Sequence, residues 1–547
     1  MSLNELLAKA LPLVKDNIEA LKIPMPSYTI FISMSDGKNR ASIVNASADT
    51  FHKAWGKAVF KCRRQAEKDR LQTGWLRIDW VRSAEKISWK ELDTRLKKVK
   101  RNYFRHGLAL DSGFHKVFLE QEINANAMLY GGNQISHSVI NKKNFEIYAR
   151  KRYKDYVPNF SDDVYVLDTQ GVFCSVDESP RLLFPAGKNA GRRMEPMDPQ
   201  AIYGLIQRSS HYLSTQVQSS GQFYYGWHPC FDRPINAYNT LRHASTTYSM
   251  LEAWEVTRDE TLKASIDRSL NYLTGTLIQN ASLHNGDEAA FLVDQGGEVK
   301  LGGNAVCLLA LAKYTELTGD EAYLGLIERL ALGIRFMQDP DTGAFIHVLN
   351  YPDLSIKERF RIIYYEGEAA FGLMRAYGLT KDPRWIEIVE KAFNHFIAND
   401  TWKAHDHWLS YCVNELTRYR PEEKYYRFGI QNVAGYLDFM MNRITTFPTL
   451  LELMMAAEKM ICRIQENDTH RHLLDQLDID KFYRALETRA EYLLNGHFWP
   501  EYAMYFKNPE RILGSFYIRH HAFRVRIDDV EHYLSGFVAY LGFLEKK

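Results

Sequence analysis

Three segments of this chain end in the same way, and their spacing limits the fold more than any other feature. Tyr248–Asp259 (YSMLEAWEVTRD), Leu309–Asp320 (LALAKYTELTGD) and Leu373–Asp382 (LMRAYGLTKD) each read as an apolar helix that reaches a threonine and stops at a short turn closed by aspartate. Thr257, Thr318 and Thr380 lie 61 and 62 residues apart, and each aspartate is placed to cap a following amphipathic helix. A two-helix repeat cannot bury its apolar face alone, so it stacks on its neighbours. Counting outward predicts outer helices near 199–217, 261–278, 320–338, 382–399, 424–443 and 478–495. More apolar inner helices are expected near 238–256, 302–317, 366–378, 405–418, 447–464 and 528–544. The last inner helix, Val530–Leu544, is as apolar as the middle ones, whereas an open solenoid needs polar terminal repeats. The expectation is therefore a mainly α protein whose residues 198–547 form an all-helical, closed (α/α)6 toroid.

Residues 1–190 read differently, as an α+β domain. Helical periodicity over Leu3–Leu21, alternation over Tyr28–Met34, the turn Ser35–Lys38 and a partner strand over Ala41–Asn45 come first. An amphipathic helix over Ala48–Glu67, a strand over Trp75–Val81 and a basic helix over Trp89–Tyr103 follow, then two apolar segments, Val164–Leu167 and Gly171–Ser175. Phe184–Met197 (FPAGKNAGRRMEPM) reads as the linker. The net charge of +2 conceals an asymmetry, for residues 1–110 carry 22 Lys/Arg against 11 Asp/Glu. Such a module suits a polyanionic surface or an acidic partner domain, with Lys97, Lys98, Lys100 and Arg101 as its densest cluster. The start shows no secretory pattern, no apolar run is long enough to span a bilayer, and the six cysteines are scattered without CxxC pairs. Together these predict a cytoplasmic protein with reduced thiols. No P-loop, GxGxxG or Gly-x-Ser-x-Gly pattern occurs, so nucleotide-driven and serine-hydrolase chemistry are not supported.

In a closed ring, the loops that feed the inner helices converge on one mouth, where helix N-termini face a ligand. The residues opening those helices are therefore the site candidates. They are Tyr238, Asn239, Arg242 and His243; the glycine pair Gly302-Gly303; Tyr364, Tyr365, Glu366 and Glu368; His405, Asp406, His407 and Trp408; Thr446 and Thr449; and Arg524, Arg526, Asp528, Asp529 and His532. Glu368, partly desolvated, suits a general acid, with Asp529 facing it across the ring as the second carboxylate. Glycoside hydrolysis needs such a pair roughly 5–5.5 or 6.5–9.5 Å apart. Helix capping is the competing role for Glu366, Glu368, Asp528 and Asp529. His243, His407 and His532 form an alternative acid/base set, suited to epimerisation beside a carbonyl. Arg519, His520, His521, Arg524 and Arg526 crowd one rim and suit an anionic group, or pair with the adjacent Asp528, Asp529 and Glu531. No metal is expected, since His405 and His407 stand two apart on a helix and cannot share a face. No cofactor is expected either.

The six-pair ring, the Tyr365–Ala369 stretch (Tyr-x-Gly-Glu-Ala) and the Gly-Phe loops Ser220–Trp227 and Asp341–His347 resemble the (α/α)6 toroids of carbohydrate-active enzymes. These include several glycoside hydrolase families, the glucuronyl C5-epimerases and the N-acylglucosamine 2-epimerases. The resemblance implies an enzyme acting on an acidic or substituted sugar or glycan, with Tyr and Trp side chains stacking on sugar faces. Carboxylate-driven glycosidic cleavage is the first reading, histidine-driven epimerisation or isomerisation the second. A non-catalytic glycan- or peptide-binding scaffold is the third.

Overall fold

The computed structural model describes residues 2–185 and 187–547. The chain divides into two compact units, the first comprising Met1–Pro196, Gly226–Ile235 and Asn495–Val525, the second the remainder. Two segments expected within the toroid, 226–235 and 495–525, thus belong with the α+β part.

The first unit is built on a seven-stranded antiparallel sheet. Its strands are β1 (Tyr28–Ser35), β2 (Ser42–Ala48), β3 (Trp75–Ser88), β4 (Gly107–Ala109), β5 (Val117–Phe118), β6 (Asp163–Ser175) and β7 (Arg181–Leu182). The order is β2-β1-β3-β6-β4-β5, with β7 also on β6. Alternate residues Ile30, Ile32 and Met34 of β1 meet Leu6, Ala10 and Val14 of α1 (Leu3–Asn17) and Ala54, Ala58 and Cys62 of α2 (Phe51–Asp69) in one core. A second core gathers Leu92 and Leu96 of α3 (Trp89–Leu96), Ile123 of α4 (Glu120–Ala125) and Phe145 of α5 (Lys142–Arg152). The two apolar segments expected near 164–175 are one strand, because β6 pairs with β3 over its whole length and absorbs the turn-like residues opposite an irregularity between Val81 and Ser83. The physical reason for the discontinuous unit is buried charge. Glu501 takes Arg193 at 2.8 Å, its backbone carbonyl accepts from Arg77 at 2.8 Å, and Arg519 pairs with Glu120 at 3.2 Å. Arg519 is therefore a buried structural cation rather than part of an anion-binding rim. Arg101 is buried too, donating to the His520 carbonyl and packing over the Tyr130 ring, so it does not belong to an exposed basic cluster.

The second unit is a ring of alternating helices. The outer set is α6 (Pro199–Gln216), α8 (Glu260–Tyr272), α10 (Leu324–Phe336), α12 (Pro383–Ala398), α14 (Glu423–Ala434) and α17 (Ile479–Leu493). The inner set is α7 (Thr240–Thr257), α9 (Leu301–Thr318), α11 (Tyr364–Thr380), α13 (His407–Tyr419), α16 (Thr449–Gln465) and α20 (Ile527–Leu544). Short helices lie between: α15 (Leu437–Asn442) after α14, and α18 (Pro500–Ala503) and α19 (Pro509–Ile512) in the segment given to the first unit. Each inner helix packs on the next, and α20 packs on both α16 and α7, so the ring is closed. The repeat is visible in atomic detail. The hydroxyls of Thr257, Thr318 and Thr380 donate to the carbonyls of Ala253, Tyr314 and Ala376 at 2.9, 2.8 and 2.9 Å. Arg258, Gly319 and Lys381 then turn the chain with φ of 50°, 71° and 56°, and Asp259, Asp320 and Asp382 each cap the next helical segment.

The region is not helical throughout. Besides β8 (Gly226–His228) and β9 (Arg233–Pro234), which go with the first unit, a five-stranded antiparallel sheet occupies the stretch 278–358. Its strands β10 (Ile278–Ser282), β11 (Glu288–Asp294), β12 (Glu298–Lys300), β13 (Val348–Asn350) and β14 (Ile356–Glu358) pair in that order. The turns Asn285-Gly286 and Gly296-Gly297, with three glycines at positive φ, are the sequence signals that mark it. Among the described residues, no helix is long and apolar enough to cross a membrane.

Inner helices approach closely where glycine allows it. A Cβ on Gly372 of α11 would stand 2.9 Å from the Ala305 carbonyl oxygen of α9. Gly372→Leu is accordingly expected to cost about 1–3 kcal/mol in urea unfolding. Gly542→Ala, where a Cβ meets nothing within 4 Å, should be neutral or slightly stabilising.

Candidate functional site

The inner helices deliver their first turns to one end of the ring, and the sequence decides which side chains are free there. Asn239 caps α7 by accepting from the Arg242 N–H at 3.2 Å. Tyr238 and His243 form a closed structural chain. The Phe223 N–H donates to the Tyr238 hydroxyl at 3.1 Å, that hydroxyl bonds His243 Nδ1 at 2.7 Å, and His243 Nε2 bonds the Ser269 carbonyl at 3.0 Å. Burial holds His243 down to about 4, so it stays neutral with both ring nitrogens engaged. His243 is thereby removed from the acid/base set.

His407 and His532 are a different case. They approach edge to face, with ring centroids 5.4 Å apart. His407, first residue of α13, is buried; its Nδ1 lies 3.1 Å from Asp406 Oδ1 and its Nε2 has no partner among the described residues. Asp406 is the N-cap of α13 through its other oxygen, accepting from the Leu409 N–H at 2.9 Å. His532 Nδ1 is bonded to Glu452 Oε2 of α16 at 2.9 Å, and its Nε2 lies 3.7 Å from Glu531. Burial alone would lower His532, but the two carboxylates override it and hold it up to about 9. His532 is thereby held as imidazolium beside the unbonded Nε2 of His407. Tyr364 and Trp408 pack against His407 at 5.6 and 5.0 Å, and Trp408 reaches His532 at 6.5 Å.

Glu368 adds a protonated acid. Burial first, then the neighbouring Asp406, pushes it up to about 8, and its Oε2 has no partner. The carboxyl lies against Gly302, where a Cβ would overlap Oε2 and crowd the Tyr365 ring, which is why α9 opens on glycine. Glu531 is pushed up to about 7 by burial, countered by His532 and by the Ser245 and Thr246 hydroxyls that donate to it at 2.6 and 2.9 Å. Arg242 pairs with Asp528, and its charge acts on Glu368, Glu531 and His532.

Asp529, the carboxylate expected to face Glu368, has a cation beside it in Arg526. Arg526 holds Asp528 through two bonds and reaches Asp529 at 3.4 Å, while the charges acting most on Glu368 are Asp406, His532, Arg242 and Glu531. Arg524 falls in the first unit rather than in the ring. His405 stacks on Tyr436 with centroids 4.2 Å apart and bonds the Asn432 carbonyl, so it does not join His407. Among the described residues, the side chains close enough to share a metal ion are His407, Glu452 and His532, whose ligand atoms lie within 4.8 Å of one another. Sequence reasoning does not reach Glu452, nor the places of Glu531 and Asp406 beside the two imidazoles. Their signal is an acid set inside an otherwise apolar inner-helix run, as in Thr449–Met455 (TLLELMM).

These shifts fix the sign of two stability effects. For Glu368, the unfolded chain gives up its proton near the ordinary 4.5 and the folded one near 8, so stability falls as pH rises between them. Glu368→Gln should therefore melt above the wild type at pH 8, with the gain vanishing near pH 4. For His532, the contribution is fully present below the ordinary 6.5 and lost as pH rises through about 9. Glu452→Gln should bring the His532 titration, followed by NMR, down by at least one pH unit.

No protein-family model matches the chain, and no curated protein matches it. Solved structures do resemble it. A D-mannose isomerase matches at 11% identity over 64% of this chain and 100% of that one, with a TM-score of 0.48. The cellobiose 2-epimerase from Bacillus thermoamylovorans B4167 matches at 10% over 64% and 100%, with a TM-score of 0.46. The alpha-1,6-mannanase from Salegentibacter sp. HEL1_6 matches at 12% over 63% and 99%, with a TM-score of 0.44. The likeness is to the (α/α)6 toroid as a fold, which the closed ring of inner helices establishes here in its own right.

Proposed function

We propose that the ring is a sugar epimerase or isomerase that moves a proton at the carbon beside the carbonyl of a reducing sugar. The observation that carries this reading is the facing pair of imidazoles, His407 with an Nε2 that has no partner among the described residues and His532 held as a cation by Glu452 and Glu531. A pair of that kind supports proton removal and return without a change of bond order elsewhere. In the open-chain sugar, His407 Nε2 takes the C2 proton, and the C2–H electron pair moves into a C1–C2 double bond as charge passes to the carbonyl oxygen. Glu368, protonated near neutral pH, donates a hydrogen bond to that oxygen, with Arg242 as the nearby cation. Return of a proton from His532 to C2 on the opposite face gives the epimer; return to C1, with the O2 proton passing to O1 as the C2 carbonyl forms, gives the ketose. Tyr364 and Trp408 supply apolar faces on which the sugar carbons rest.

The second reading is glycosidic cleavage, favoured by the one fact that Glu368 is raised to about 8 and so suits a general acid. Its partner would have to be a carboxylate other than the Arg526-bound Asp529.

The two readings separate in heavy water. Reducing sugars incubated with the full-length protein should lose their C2–H signal by NMR, and their epimers or ketoses should accumulate. His407→Asn and His532→Gln should each slow this by about 10²–10⁴-fold, the usual worth of general acid–base help. Cleavage of glycosides with no exchange at C2 would overturn the epimerase reading.

A further inference from the structure

Two helices of the first unit carry the same exposed pattern. On α2, Lys53, Lys57, Phe60, Arg64 and Lys68 are exposed and recur at the spacing of one helix face. Ala54, Ala58 and Cys62 bury the opposite face in the first core. On α5, Lys143, Ile147, Arg150 and Lys151 repeat the arrangement, with Phe145, Tyr148 and Ala149 buried behind them. Each stripe of cations thus surrounds one large apolar side chain, Phe60 at 60% and Ile147 at 59% exposure. The two helices lie on the same face of the sheet. The core under α2 takes Val172 and Cys174 from β6, and the core under α5 takes Val164 and Val166, all at alternate positions of one strand. The helices are joined at Asn45 of β2, whose carbonyl accepts from Lys61 of α2 at 2.9 Å and whose side-chain oxygen accepts from Arg152 of α5 at 3.1 Å.

Neither helix needs these cations for its own stability. Lys53 sits in the first turn of α2, and Lys142 and Lys143 in the first turn of α5, where the helix dipole disfavours positive charge and no acidic residue stands. None of the exposed lysines and arginines of the two stripes forms an ion pair with a carboxylate among the described residues. At the junction, partial burial first and then the charges of Arg152, Lys57 and Lys116 hold the Lys61 ammonium below its usual range. A face of this kind gains from an anionic partner, and its two apolar side chains decide which. A nucleic acid offers phosphates to the cations and a base to stack on Phe60, but nothing in which an aliphatic Ile147 is buried. The stripes also hold no asparagine or glutamine with which a base edge is read. The interface of an anionic bilayer takes both kinds of side chain, cations on its phosphates and apolar groups at the acyl boundary.

We propose that the outer faces of α2 and α5 form a docking surface for an anionic phospholipid membrane, with Phe60 and Ile147 set among the headgroups. The proposal goes beyond the reading of the helical ring and does not depend on it. It moves the polyanion-binding face away from Lys97, Lys98, Lys100 and Arg101, of which Lys97 is paired with Asp93 at 2.7 Å and Arg101 is buried. Sedimentation of the full-length protein with vesicles of phosphatidylcholine, alone or with about 30% phosphatidylserine, tests it. The wild type should bind the anionic vesicles at least about ten-fold more tightly than the neutral ones, and the preference should shrink as salt rises. Lys57→Gln with Arg64→Gln, and Arg150→Gln with Lys151→Gln, should each weaken binding about ten-fold or more with the melting temperature unchanged. Phe60→Ser with Ile147→Ser should weaken it about five-fold or more without altering its salt dependence. Lys97→Gln with Lys98→Gln, outside the two stripes, should change it by less than about two-fold. No preference for anionic vesicles, an equal loss from the Lys97 and Lys98 pair, or binding that ignores Phe60 and Ile147 would overturn the proposal. Tighter binding to heparin or to duplex DNA than to the vesicles would overturn it as well, and assign the face to a polyanion in solution.

Discussion

The ring depends on one seam, where the last inner helix meets the first, and that seam is polar. Ser245 and Thr246 of α7 donate to the Glu531 carboxylate of α20, Ser249 donates to the Glu531 carbonyl at 3.1 Å, and Ser535 donates to Glu252 at 2.6 Å. Arg242 and Asp528 close the same seam at the mouth. An apolar seam would tolerate sliding, because one aliphatic contact replaces another at small cost. A buried carboxylate that loses two hydroxyl donors has no substitute, and the penalty for an unsatisfied charged group exceeds that for a lost neutral bond. The seam therefore sets the register of α20 as well as its place. His532 follows Glu531 in sequence, so the bonds that close the fold also aim the imidazole at His407.

Burying this many carboxylates works against stability, and the protein resolves the conflict in two ways. Where a cation is at hand, the charge is kept: Asp528 between Arg242 and Arg526, and Glu452 against His532. Where none is close enough to dominate, the proton is kept instead, as at Glu368. The outcome is a small volume holding an imidazolium, a neutral carboxylic acid and a second imidazole whose Nε2 has no partner among the described residues. Neither of the first two states is what an exposed side chain of the same type holds at pH 7. Sites that need such states are built at the expense of stability.

The ring is legible in the sequence because its repeat is written in local chemistry. Threonine, a left-handed residue and aspartate recur at three helix ends, and each threonine makes the same bond to a carbonyl four residues back. His407, His532 and Glu368 are legible for a related reason, since polar residues at the openings of apolar helices must face something other than a core. His243 satisfies the same rule and is structural, because its partners Tyr238 and Ser269 lie in a loop and an outer helix whose approach no spacing reveals. Glu452 escapes notice because it sits one turn inside α16, where a lone acid among leucines and methionines reads as a defect in periodicity. The first unit's claim on residues 495–525 is hidden for a different reason. It rests on ion pairs such as Arg519 with Glu120, whose members are separated by 399 positions in sequence.

The connections of the ring show where its function has been elaborated. From inner to outer helix the chain turns quickly at three places, with two residues between α7 and α8, two between α11 and α12, and three between α13 and α14, though thirteen lie between α16 and α17. From outer to inner helix it wanders. The 226–235 segment leaves between α6 and α7, the strands β10–β12 between α8 and α9, β13 and β14 between α10 and α11, and residues 495–525 between α17 and α20. The strands β10–β14 precede the N-termini of α9 and α11, at the end that holds His407, His532 and Glu368. Loops tolerate insertion wherever the scaffold beneath them is stable, so stability alone would distribute them between the two ends. Their concentration at one end follows from what that end offers, a set of converging helix N-termini around charges that need shielding from bulk water.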